Sequence, residues 1–302
     1  MNVFRRTGTG FLAFIVAVMV AIPVTVSGQI NKKKLYRTIA FESTAYVGSI
    51  LFLNNIWYRN NDQAPFHFRN DNHAYLQADK FGHVFGSYVE SYGTYRFLLN
   101  AGVDKATALL VGGSMGIIMQ APIEIFDGIH DGWGFSPGDW MANITGSLLV
   151  VGNELIFKEQ LIKYKWSYWE SAYARQTNGF LGETTLNRVF EDYNGHTYWL
   201  SVPLARITGW SKIPPWLNIS AGYSINGVIG KMENLTSYRG VEIPPFDRYR
   251  QFLLSLDVDW TRIPVHSPFL KTLFRYMAFV KFPFPAIEIN TLGKFRGYWM
   301  YY

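Results

Sequence analysis

Asp79-Lys80-Phe81-Gly82-His83, Glu124-Ile125-Phe126-Asp127 and Ser136-Pro137-Gly138-Asp139-Trp140-Met141-Ala142-Asn143 set polar residues three or four apart inside apolar segments. That spacing places the members of each group on one helix face. If the helices pack together, acids, an amide and an imidazole meet in one place. The meeting is either a functional site or a buried polar network that fixes a bundle.

Working outward, the apolar periodicity predicts helices over 38–58, 79–99, 104–126 and 137–160, with a long polar and aromatic loop over 59–77. Asp79 and Asp104 are N-cap candidates. Ser136-Pro137-Gly138-Asp139 is a stronger start signal, with a capping Ser, Pro at the first helical position and an acid behind it. The apolar runs 106–119 and 144–151 fall short of the roughly twenty residues that cross a bilayer, so buried bundle helices are the default. Gly112, Gly113, Ser114 and Gly116 would let two backbones approach closely, as small residues do in membrane helix pairs.

Beyond residue 173 the period shifts towards two. Segments 216–229 and 251–260 alternate as half-exposed strands; 274–281, 286–291 and 294–302 are further strand candidates, with a short helix over 271–276 as the alternative. Five or six strands fall short of the eight of a small membrane barrel. The expected fold is α+β: an N-terminal four-helix hydrophobic bundle followed by a C-terminal β-rich segment, an open sheet or partial barrel. The expected organisation is an export signal over 1–28, the bundle over 29–172 and the β-rich region over 173–302. Arg5 and Arg6, the apolar core from Phe11 to Val26 and the Val26-Ser27-Gly28 cleavage site carry the export reading.

The 302 residues include no cysteine, which excludes disulfides, thiol catalysis, thiolate metal sites and a lipidated cysteine. Aromatics at 17% and charged residues at 17% depart from soluble averages towards membrane contact. A net charge of +6 with no aromatic-interleaved basic cluster gives no nucleic-acid footprint. No nucleophile elbow, P-loop, dinucleotide fingerprint or His-Glu-x-x-His motif occurs.

Each polar group has a structural and a functional reading. Asp79 and His83, one turn apart, can bind a metal or act as acid and base; equally, they are a cap and an interfacial imidazole. Glu124 and Asp127 follow the most apolar run, so burial would force pairing, with Lys80 or His83 the economical partners. Asp127, His130, Asp131 and Asp139 could offer oxygen-rich coordination to a divalent cation, though the spacing matches no EF-hand. Capping accounts for Asp139. Asn143 has no such role and is expected to bond across the bundle.

With Asp79-Lys80-x-x-His83, Glu124-x-x-Asp127, Gly132-Trp133-Gly134-Phe135-Ser136 and Asp139-x-x-x-Asn143-x-x-Gly146 in hand, the chain resembles the YfiM-like, DUF2279-type family of bacterial envelope proteins over roughly residues 75–155. More distantly it resembles VanZ-like membrane proteins. The resemblance implies an exported protein at the outer membrane or its periplasmic face, and implies no reaction. The reading that follows is a non-enzymatic envelope protein. It would contact membrane and serve an outer-membrane assembly, transport or secretion complex, with Asp79, Lys80, His83, Glu124, Asp127, Asp139 and Asn143 as a structural polar network. The alternative is an envelope hydrolase or transferase acting on lipid or glycan. His83 would then be base or metal ligand, Glu124 and Asp127 acid or ligands, and Lys80 or Arg96 would steady a phosphate.

Overall fold

The computed structural model describes residues 30–58 and 61–302; the export signal lies outside them. The fold is α+β, with helices leading and a six-stranded antiparallel sheet following. Four long helices come first: α1 Lys32–Leu53, α2 Ala78–Asn100, α3 Lys105–Gly128 and α4 Pro137–Phe157. After them run β1 Lys163–Tyr168, α5 Thr185–Glu191, β2 His196–Pro203, α6 Leu204–Thr208, β3 Leu217–Asn226, the small pair β4 Ser237–Tyr238 and β5 Val241–Glu242, β6 Tyr249–Val258, α7 Pro268–Tyr276, β7 Phe284–Asn290 and β8 Phe295–Tyr301. Two compact units divide the chain: residues up to 70 with 86–151, and 71–85 with 152–302.

The caps explain where two helices begin. Asp104 accepts the Thr107 amide at 2.9 Å, and Ser136 Oγ accepts the Asp139 amide at 3.1 Å. Asp79 does not cap. Helix α2 is entered through a turn in which Tyr75, Leu76 and Gln77 have φ of 47°, 50° and 71°. Three successive non-glycine residues in the left-handed region cost about 1–2 kcal/mol each. Tertiary contacts hold them there. The Tyr75 amide donates to Lys231 O at 2.7 Å, the Tyr223 hydroxyl donates to Leu76 O, and Arg250 donates to Gln77 Oε1 at 2.7 Å. The loop expected over 59–77 is therefore, where described, a strap that hydrogen-bonds to the turn after α3 (Ala64 to Ile129 O and His67 to Gly128 O, both 2.9 Å) before it becomes this left-handed turn.

In the helical unit, close backbone approach decides the packing. A Cβ on Gly112 would collide with the Tyr95 backbone, and one on Gly116 with Ser87 O and, at 2.6 Å, with Ser91 Oγ. Helices α2 and α3 therefore meet along a small-residue stripe. Helix α1 is attached by Tyr46, whose hydroxyl donates to Met119 O at 2.9 Å, and by Thr94 Oγ1 donating to Glu42 at 3.0 Å.

The sheet order is β1-β2-β3-β6-β7-β8, a meander broken only by the β4–β5 excursion. It does not close into a barrel, but it curls. Strands β2 and β8 stand four spacings apart, roughly 19 Å in a flat sheet. Yet Thr197 Oγ1 lies 3.2 Å from the Tyr301 hydroxyl, and the Trp199 and Tyr301 rings are 5.8 Å apart. Two rows read straight off the register. Tyr164, Leu200, Ala221, Leu254, Ile287 and Gly297 share the outer face. Their neighbours Lys163, Ser201, Ser220, Ser255, Ala286 and Tyr298 share the inner one. Leu200, Leu254 and Ile287 are 44–46% exposed, whereas Ser201, Ser220 and Ser255 are at most 5% exposed. Buried hydroxyls thus share the inner face with an apolar cluster of Trp199, Leu253 and Ala286, while the outer face leaves aliphatic side chains exposed.

Strands β3, β6, β7 and β8 lie where the alternation predicts them. The segment expected as a strand over 274–281 is instead α7 and a 3-10 turn, the alternative weighed for 271–276, because Ser267 caps it and Pro268 opens it. Strand β1, already at residue 163, and β2 follow no predicted segment.

Candidate functional site

Three polar centres have the geometry of a site. Within the helical unit a seam of hydroxyls joins α2, α3 and α4. Ser87 Oγ donates to Asn143 O and lies 3.0 Å from Ser147 Oγ. Ser91 Oγ lies 2.9 Å from the same Ser147 Oγ, donates to Gly113 O at 3.0 Å and accepts the Gly116 amide at 2.9 Å. Below the serines Asn143 Nδ2 donates to Glu124 Oε1 at 3.1 Å, and Gln120 Nε2 donates to Glu90 at 2.9 Å. Glu124 and Asn143 are fully buried. Burial of a carboxyl among apolar helices is tolerable only with such partners.

The other expected acids of this unit also have defined surroundings. Asp127 accepts the Tyr58 hydroxyl. Asp139 is buried in the first turn of α4, its amide held by Ser136. His130 stacks on Tyr58, centroids 4.7 Å apart, and Nδ1 donates to Phe126 O at 2.7 Å. Asp131 accepts the Gly132 amide at 2.9 Å. The glycine turn itself is gripped by the strap: Arg69 donates to Gly132 O at 2.6 Å and His67 Nε2 to Trp133 O at 3.2 Å. Asp127 and His130 thus both meet Tyr58, while Asp131 holds its own turn.

Asp79, Lys80 and His83 belong to the sheet unit. Asp79 Oδ1 accepts the Tyr193 hydroxyl at 3.0 Å and lies 3.9 Å from His83 Nε2, while Lys80 Nζ lies 3.3 Å from Oδ2 and 2.7 Å from Asp71. Burial pushes the Asp79 carboxyl up, but His83, Lys80 and the Tyr193 hydroxyl together outweigh it and hold it below the usual range. Asp79 and His83 are ligand types one turn apart; a cation there would displace Lys80 from the carboxylate. Behind them His196 Nε2 donates to Val189 O at 2.9 Å and Nδ1 accepts from Tyr198 at 3.0 Å, which fixes the tautomer. Burial drives the His196 pKa down to about 4.

Sequence reasoning missed the third centre, inside the curled sheet. Lys165 Nζ lies 2.7 Å from Asp257 Oδ2 with both side chains at zero exposure, and Ser201 donates to the same carboxylate at 2.6 Å. Lys281 Nζ donates to Ser255 Oγ at 3.2 Å and Leu256 O at 2.7 Å, and sits 4.9 Å over the Trp199 ring. Burial lowers the pKa of Lys165, and that of Lys281 to about 8. Glu288 accepts from Gln251 at 2.8 Å, from Asn290 at 2.7 Å and from Tyr298 at 2.5 Å. The signal was present as Lys163-x-Lys165 and Ser255-x-Asp257 at period two, but polar residues at that period read as the outer face of a strand.

No curated protein and no solved structure matches the chain. A family model does match, over residues 67–152, which hold the serine seam, Glu124 and Asn143. It supports an envelope location and adds nothing to the VanZ-like resemblance. The matched family, DUF2279, is described as a predicted periplasmic lipoprotein, and across this segment the chain is similar to it.

Proposed function

We propose that this chain is a non-enzymatic envelope protein, seated in the outer membrane through its helical unit and serving as a subunit or accessory of a larger assembly, transport or secretion complex. One observation carries the reading: both units bury polar side chains while leaving large aliphatic ones exposed. In the helical unit Ser87, Ser91, Glu124, Asn143 and Ser147 are buried, while Leu110, Met141 and Leu148 are 58–76% exposed. Small residues and hydrogen bonds between helices, with aliphatic side chains pointing outward, are what association in a lipid solvent selects. Helices α3 and α4 also have the length and hydropathy of spanning helices.

The outer face of the sheet has the complementary consequence. Leu200, Phe252, Leu254, Leu256, Ile287 and Ile289 are each at least 39% exposed and adjoin across the strands as one apolar patch, of the kind that marks a protein partner or a membrane. The polar seams then act as register devices, the best-attested use of buried polar groups.

The test is affinity purification from native membranes in mild detergent, with a tag near Lys32, comparing the parent with Leu254→Glu. The reading predicts a larger membrane complex in stoichiometric recovery, lost in the variant while its melting temperature holds. Recovery of the chain alone, or a complex indifferent to Leu254→Glu, contradicts it.

A further inference from the structure

Helix α7 is strongly amphipathic. Ser267 caps it, accepting the Leu270 amide at 3.4 Å, and Pro268 opens it, so its start is locally encoded. One side is taken by the protein: Phe274 packs on Trp260 with centroids 5.6 Å apart, and Trp260 is in turn fixed by Phe282 at 5.5 Å and by its Nε1 donating to Val280 O at 2.9 Å. Phe269, Leu273 and Tyr276 form a second stripe, at i, i+4 and i+7, and are 73%, 39% and 61% exposed. Lys271 and Arg275, one turn apart, occupy the side opposite that stripe and are exposed. No ion pair among the described residues engages either of them. From Trp260 to Ile287 the sequence holds no acid at all.

We propose that α7 is an interfacial anchor, lying in the headgroup layer of an anionic bilayer with Phe269, Leu273 and Tyr276 towards the acyl chains and Lys271 and Arg275 among the phosphates. The charge pattern selects this occupant. A basic, acid-free helix with Phe and Leu on the face away from its cations is complementary to a negatively charged lipid surface, and aromatic rings are at home at the boundary. The Trp260 contact takes the Phe274 side of the helix and leaves the Phe269, Leu273 and Tyr276 stripe exposed. The inference rests on the membrane seating proposed above but reads a different contact.

The absence of native cysteine makes the test clean. Full-length chains with Phe269→Cys, Leu273→Cys or, as a solvent control, Ser237→Cys carry a polarity-sensitive fluorophore in vesicles of phosphatidylethanolamine and phosphatidylglycerol. Sedimentation with the vesicles reads the membrane seating separately. The expected result is a blue-shifted emission at 269 and 273, quenched severalfold by brominated lipid and largely lost when phosphatidylcholine replaces phosphatidylglycerol or when Lys271→Glu and Arg275→Glu are added. The control stays water-like. Three results overturn the proposal: water-like emission at 269 and 273 in a chain that sediments with vesicles, equal quenching in the neutral lipid, or shielding from aqueous iodide without lipid quenching, which gives the stripe to a protein partner.

Discussion

Asn143 on α4 and Glu124 on α3 meet through one hydrogen bond of 3.1 Å, both side chains fully buried. The contact ties two helices at one height, and no other longitudinal offset of α3 against α4 would preserve it. In an apolar setting its loss is felt more than its presence, because the group left behind keeps its desolvation cost. Glu124→Ala is expected to lose about 1–3 kcal/mol, and Glu124→Gln less. Abundance in the membrane should fall together with stability. A variant that loses function at unchanged abundance and melting temperature would instead favour a catalytic carboxyl.

Glycine substitutions in the helical unit should separate by position. Gly116→Ala places a methyl on the Ser87 backbone and 2.6 Å from Ser91 Oγ, so about 1–3 kcal/mol is lost and the two helices must part. Gly93→Ala, on α2 with nothing within 4 Å, should leave stability unchanged or raise it by up to about 1 kcal/mol. Thermal melts in detergent distinguish the pair.

Breaking the Lys165–Asp257 pair from one side strands a buried charge. Lys165→Met should cost about 3–5 kcal/mol, and adding Asp257→Asn should recover part of it, since the stranded carboxylate is then gone. A double-mutant cycle in melting free energy measures the recovery.

His196 gives the pH dependence. Its folded pKa lies near 4 against an ordinary value near 6.5, so between those values the unfolded chain binds more protons. Stability therefore falls as pH drops from 6.5 to 4, by at most about 3 kcal/mol, and is insensitive to this group above 6.5. His196→Gln should flatten the melting temperature across that window while leaving it unaffected at pH 8 apart from a constant offset.

How far the sequence could be read follows from which signals are local. Ser136-Pro137 and Asp104 announce their helices because a cap is a contact across three residues. Strands β6 and β7 show themselves because Phe252, Leu254, Leu256 and Ile287, Ile289 alternate with polar neighbours, although alternation does not say which face is inside. Strand β1 hides because its inward residues include Lys163 and Lys165, and the partners of Lys165, Asp257 and Val258, lie over ninety residues away. The left-handed turn at Tyr75–Gln77 is illegible for the same reason. No glycine marks it, and Lys231, Tyr223 and Arg250 impose it from elsewhere in the chain. Asn143, an amide with no capping role inside an apolar helix, bonds to Glu124 of the neighbouring helix; the serines that surround it gave only isolated hydroxyls in apolar runs.

We propose that the exposed aliphatic side chains of α3 and α4, Leu110, Met141 and Leu148 among them, seat the helical unit in lipid. Alkaline carbonate extraction of native membranes tests it most directly, because carbonate strips proteins held by partners or by charge and leaves those held by the bilayer. The chain is predicted to remain in the membrane pellet, and Leu110→Lys with Leu148→Lys to shift it towards the supernatant. Complete release of the parent chain would contradict the claim.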